Sequence, residues 1–240
     1  MYTFFTSPRN VLSLRKRKLP ILTLSVAVLL AAATSYVIHA QFGPPAAGTE
    51  VHDATALKPP SGARVAIIEF EDLECPDCAR ANPLLMEAAA KYKIPWIRHD
   101  FPLPFHDWST EAAIDARWFD TRSKALGDAY RDQVFANQPT ITSPDALHAF
   151  TLKFAQSHKV ALPFAMDPLG KLAAAVKADY ALGQRIGIEH TPTIWVVTAG
   201  SKGSPFVEVV DRGQLYQMID QALADTAAAA KTAASKPNAK

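Results

Sequence analysis

The spacing of apolar residues changes character several times along the chain. Residues 65–70 (Val65-Ala66-Ile67-Ile68-Glu69-Phe70) form a short, nearly continuous apolar run of strand type, and residues 76–92 then carry apolar side chains at helical intervals. A second strand is predicted over 94–101, with Pro95 at its start, where a missing N–H is tolerated. From 109 to about 185 the periodicity is helical throughout. Two start signals punctuate that stretch: Ser143-Pro144 ahead of Leu147, Phe150 and Phe154, and Asp167-Pro168 ahead of Leu169, Leu172, Val176 and Tyr180. Strand character returns over 193–197 and 206–210, on either side of a Gly- and Ser-containing turn at 199–204, which predicts an antiparallel hairpin. A last helix carries Leu215, Ile219 and Leu223 on one face. The predicted order is βαβ, a helical block, then ββα: an α/β fold with an inserted helical subdomain at about 109–185.

The two ends of the chain read differently. Residues 19–38 are apolar and uncharged, directly behind a basic block at Arg15, Lys16, Arg17 and Lys18. About 20 such residues reach across a hydrocarbon core of about 30 Å. Positive charge ahead of the span predicts a cytoplasmic N-terminus (1–18) and a domain facing outward. The segment is expected to be a transmembrane anchor, with a cleaved signal peptide as the competing reading. Residues 39–63, rich in Pro, Gly and Ala, read as a linker. Residues 225–240, low in complexity and poor in apolar bulk, read as a disordered tail. The folded domain is expected over 64–224, outside the cytoplasm, in the periplasm or its equivalent.

Charge supports that division. Of the 25 Lys and Arg, five precede the first carboxylate and three follow the last, leaving 17 between residues 50 and 225 against all 23 Asp and Glu. An acidic domain of this kind repels nucleic acid, which is therefore excluded as a partner.

The chain holds two cysteines, in Cys75-Pro76-Asp77-Cys78. A structural staple is one explanation, but a bond closing so short a loop constrains the unfolded chain little. A zinc site is another, but it usually takes four ligands, and the seven histidines supply no close pair. A redox dithiol fits the surroundings better. A strand, a loop and a CxxC opening a helix put Cys75 where unpaired N–H groups and the positive helix end favour a thiolate. Pro76 suits the first helical position. Cys78 lies one turn deeper on the same side, placed to resolve a mixed disulfide formed at Cys75.

Thr191-Pro192-Thr193 stands immediately before the third strand. Together with the CPDC motif and the element order, it resembles the thioredoxin superfamily, and within it the DsbA/DsbG-like disulfide oxidoreductases that carry a helical insertion. The resemblance covers residues 64 to about 224. It implies a cis proline at Pro192 beside the sulfurs, with the Thr191 backbone, Pro76 and Asp77 contacting an extended substrate segment. It also implies a buried acid at Glu69 relaying protons for Cys78, no metal, and no cofactor beyond the Cys75–Cys78 disulfide itself. Implied partners are protein thiols and disulfides, and a soluble or membrane redox protein that resets the dithiol. The expected mechanism is thiol–disulfide exchange with Cys75 as nucleophile and Cys78 as resolving thiol. The rival class is a non-catalytic thioredoxin-like adaptor or chaperone that binds extended segments.

Three features bear on tuning. Glu71, Asp72, Glu74 and Asp77 crowd the dithiol with negative charge, which disfavours a thiolate. Asp77 stands where strongly oxidising relatives have His. Both features predict a Cys75 pKa and potential near the thioredoxin end. His190 is a possible cationic modulator. His106, in Leu103-Pro104-Phe105-His106, matches a recurrent feature of such proteins without an evident role. Trp96, Trp108 and Trp118 read as core.

Overall fold

The computed structural model describes residues 48–200 and 204–234. The expected anchor, its basic flank and the first part of the expected linker lie outside these residues. Among the described residues no helix is long and apolar enough to cross a membrane.

All seven residues of β1 (Val65–Glu71) are buried, as befits a central strand covered on both faces. It pairs in parallel with β2 (Trp96–Asp100) and antiparallel with β3 (Thr193–Thr198), and β3 pairs antiparallel with β4 (Phe206–Glu208), giving the order β2-β1-β3-β4. Alternation along β1 assigns its side chains to two cores. Val65 and Ile67 pack with Ala81, Leu85 and Ala88 of α1 (Pro76–Tyr92) and with Leu215 and Ile219 of α6 (Leu215–Ala234). Ala66, Ile68 and Phe70 pack on the other face with Phe101, Ile186 and Trp195. The helical block comprises α2 (Ser109–Asp120), α3 (Lys124–Asn137), α4 (Pro144–Ser157) and α5 (Lys171–Ile186). Its apolar cluster of Trp118, Phe119, Tyr130, Leu147 and Phe154 also contains Leu73, Cys75 and Cys78. The dithiol therefore lies at the seam between the sheet domain and the insertion.

Several expectations are met closely. Helix α1 has the predicted limits, and Ser143 caps α4 by accepting from the Ala146 N–H at 3.1 Å. Others need correction. Asp167-Pro168 does not open α5: a turn through Gly170 (φ 65°) intervenes, and Asp167 caps from further back, its carboxylate accepting from Ala173 N at 2.8 Å. Leu169, assigned to the buried face, is exposed in that turn. The domain also runs past 224, because α6 continues to Ala234. Alanine favours helix strongly, and buried Thr226 ties its hydroxyl back to Ala222 O at 3.0 Å. Nor are residues 48–63 a free linker. Leu57 is buried with Val51 and Ala56 beside it, and His52 N donates to Ile186 O at 2.8 Å. Gly187 (φ 104°) permits this, since a Cβ there would meet Glu50 O at 2.4 Å.

Candidate functional site

Helix α1 starts at Cys75, whose extended backbone (φ −74°, ψ 120°) makes it the N-cap, with Pro76 in the first turn. Both cysteines stand as free thiols and are buried, Cys78 completely. The Thr191–Pro192 bond is cis, and as a thiol Cys75 donates to Thr191 O at 3.3 Å. The hydrogen bond from Cys78 is the main influence lowering the Cys75 pKa to about 5; burial opposes it, and Thr191 and the N–H groups of Cys78 and Asp77 add to it. Burial drives Cys78 the other way, well above the usual thiol range, with the Cys75 contact and the Glu69 charge adding to the rise. One sulfur is poised as a thiolate and its neighbour keeps a proton.

The crowd of acids does not act as the sequence suggests, because each carboxylate is engaged by donors. Asp72 is the hub of the loop. Its carboxylate accepts from Leu103 N (2.6 Å), Glu74 N (2.8 Å) and His106 Nδ1 (2.7 Å). Its carbonyl accepts from Cys75 N at 3.0 Å, and its own N–H donates to Cys78 Sγ at 3.5 Å. His106 thereby acquires a place: it braces the residue whose backbone touches both cysteines. Glu74 accepts from Trp108 N (2.7 Å) at the start of α2, Glu71 is held by Arg98, and Asp77 by Arg80 and Arg212. With their charge balanced locally, the acids do not prevent the lowering of the Cys75 pKa. A value of about 5 lies below the thioredoxin figure of about 7 and above the strongest-oxidant figure of about 3.5.

Glu69 is fully buried, and burial pushes its carboxyl up to about 8, helped by the nearby Glu71. Trp96 is not simply core: its indole N–H donates to Glu69 Oε2 at 3.0 Å, while Oε1 is buried without a partner among the described residues. Arg98 stacks on the Trp96 ring at 4.3 Å. In the parallel register Glu69 faces Arg98 and Glu71 faces Asp100, so the charged residues of two strands share the sheet face under α1. Arg98 binds Glu71 (2.8 Å), Asp132 (3.0 Å) and Asn82 (3.1 Å), and Arg131 binds Asp120 (2.9 Å) and approaches Glu71 (3.4 Å). Arg117 reaches Asp100 and Asp179. This network joins the sheet to the insertion. The complementary charges on two neighbouring strands were its only signal in the sequence.

The raised pKa of Glu69 has a measurable consequence. Between about pH 4.5 and 8 the folded protein keeps a proton that the unfolded chain has released, so this group's contribution falls as pH rises through that window. Glu69→Gln removes the loss. Urea unfolding of the two reduced proteins is expected to favour the variant at pH 9, on the order of 3 kcal/mol, with a smaller difference at pH 5.

Gln138, which drew no attention in the sequence, donates its amide to Leu73 O (2.8 Å) and Cys75 O (3.0 Å) from a short 3-10 turn after α3. His190 is exposed, and its carbonyl accepts from Thr193 Oγ1 at 2.7 Å. Among the described residues its ring makes no hydrogen bond to either sulfur, so the structure does not bring it into the cluster formed by Cys75, Cys78, Thr191 and Pro192.

The sheet order, the dithiol at the head of α1 and the cis peptide before β3 define a protein of thioredoxin type. The chain belongs to the thioredoxin family, whose model, described as Thioredoxin, matches residues 60–202. No curated protein matches it. Among solved structures it is similar to the thiol-disulfide exchange protein alpha-DsbA2 from Wolbachia pipientis (16% identity, 68% of this chain and 84% of that one, TM-score 0.55). It is also similar to BdbD from Bacillus subtilis (21%, 74% and 98%, TM-score 0.55) and ScsC from Proteus mirabilis (18%, 84% and 92%, TM-score 0.55). These likenesses place the fold among DsbA-like proteins.

Proposed function

We propose that this chain is a thiol–disulfide oxidoreductase acting on protein substrates outside the cytoplasm. The observation that carries the reading is the placement of the two sulfurs. Cys75 caps the head of α1 beside the cis Thr191–Pro192 bond, where the hydrogen bond from Cys78 and then Thr191 draw its pKa down. Cys78 is fully buried behind it, which pushes its thiol up.

In the reducing direction the Cys75 thiolate attacks a substrate disulfide, forming a mixed disulfide and releasing one substrate thiolate. Glu69, protonated near neutral pH, first releases its proton to solvent. Its carboxylate then takes the Cys78 proton, and Cys78 attacks Cys75 Sγ, closing the Cys75–Cys78 bond and releasing the second substrate thiolate. Two electrons pass from the dithiol to the substrate. In reverse, a substrate thiolate attacks Cys75 Sγ of the disulfide and Cys78 leaves, taking its proton from Glu69. A second substrate thiolate then attacks the substrate sulfur of the mixed disulfide and releases Cys75. Pro192 shapes the wall beside the sulfurs, and Thr191 O, which meets Cys75 Sγ, lies where an extended segment can pair. Pro76 and Asp77 complete the contact surface. The disulfide is the only redox group this scheme needs. The basic-then-apolar N-terminal segment supports tethering at the inner membrane, near a redox partner that resets the pair.

A stabilised thiolate stabilises the reduced form, so the couple is expected to be more oxidising than thioredoxin, contrary to the expectation from the acidic motif. Equilibration with glutathione buffers is expected to give a potential between about −270 and −120 mV, the thioredoxin and strongest-oxidant values. A couple that takes no part in exchange with glutathione overturns the assignment.

A further inference from the structure

Asp77 is a liability where it stands. At the second residue of α1 its carboxylate competes with a Cys75 thiolate for the positive helix end, and it adds like charge inside the CxxC loop. The chain answers from far away in sequence. Arg212 donates through one nitrogen to Asp77 Oδ1 at 2.7 Å and through another to Asp77 O at 3.2 Å, spanning 135 residues. Arg80 meets the same Oδ1 at 3.0 Å but is the more exposed of the two arginines. Arg212 is delivered by a well-braced turn. Asp211 caps it by accepting from Gly213 N (2.9 Å) and Gln214 Nε2 (3.2 Å), and Val209 N upstream donates to Ile194 O of β3 (2.8 Å).

We propose that Arg212 is a positioning residue that sets the redox balance of the dithiol by neutralising Asp77 and fixing it on the loop. The proposal rests on Cys75 and Cys78 forming the working couple, and adds the residue that tunes it. Free of Arg212, the Asp77 charge destabilises the Cys75 thiolate and hence the reduced form. The couple then shifts toward the disulfide and becomes more reducing. Because the pair is partly exposed, the expected shift is modest, about threefold in the equilibrium with glutathione.

The test uses the full chain and its Arg212→Gln, Arg212→Lys, Asp77→Asn and Asp77→Asn/Arg212→Gln variants, each equilibrated with glutathione buffers at low and at 1 M salt. Arg212→Gln is expected to shift the equilibrium about threefold toward the disulfide at low salt, and less at high salt, where exposed charges are screened. Arg212→Lys keeps the charge and stays near the wild type. The double variant recovers at least the wild-type balance, a rescue that a merely structural role for Arg212 does not produce. An unchanged Arg212→Gln, a Lys variant shifted as far as Gln, or a double variant that fails to recover overturns the proposal. Should Arg212→Gln not fold, the Lys variant and Asp77→Asn decide it, the latter expected to shift toward the dithiol. A wild type that exchanges nothing with glutathione overturns the parent assignment instead.

Discussion

Cys75→Ser is expected to abolish disulfide exchange in either direction, to background, while the variant folds and melts as the wild type does. A serine hydroxyl at this position is not ionised near neutral pH and forms no mixed disulfide. Cys78→Ser is expected to differ in kind: it still reacts once, and a Cys75-linked mixed disulfide accumulates because nothing resolves it. Mass spectrometry after a single turnover with a disulfide-bonded protein distinguishes the two. The pair of variants also separates the enzyme from a peptide-binding adaptor. An adaptor's activity survives Cys75→Ser, and survival overturns the catalytic reading.

The second large effect concerns stability. Arg98 is buried and binds Glu71, Asp132 and Asn82. Arg98→Met leaves Glu71 buried with only the 3.4 Å approach of Arg131 for compensation. Breaking a buried pair from one side typically costs about 3–5 kcal/mol, whereas replacing both partners with apolar groups is often close to neutral. Urea denaturation is therefore expected to show a loss of about 3 kcal/mol for Arg98→Met and recovery of most of it in Arg98→Met/Glu71→Met. Equal losses in the single and double variants would show that the ion pair is not the source.

What the sequence disclosed follows the range of the interactions involved. The cysteine spacing, Pro76 in the first turn, the Ser143 cap and the continuous apolar run of β1 act within a few residues, and all were legible. Thr191-Pro192 was recognised through its resemblance to a known motif, since composition does not specify a cis bond. The charge of the acids was read correctly and its effect was not, because most of the donors that occupy them come from β2, the loop after it and the turn before α6. Trp96 looked like core because an indole is mostly apolar surface. Its one polar atom found Glu69 only once β2 lay in register beside β1. Gln138 and Arg212 carry no local signal; the fold alone brings them to the loop. Residues 48–58 and 225–234 looked unstructured by composition, yet the first is anchored by a few burials and the second by alanine's helical preference.

The contact between Gln138 and the carbonyls of Leu73 and Cys75 bears on what the helical insertion is for. An insertion is easily imagined as cargo, a module that can be exchanged between proteins sharing the same scaffold. Here it supplies an amide that braces the loop and much of the apolar wall behind both sulfurs. A chain trimmed of residues 109–185 would keep the motif in its sequence and lose the environment that gives the motif its chemistry. Transplanting this reactivity onto a smaller scaffold therefore means carrying the turn after α3 along with the four-residue motif.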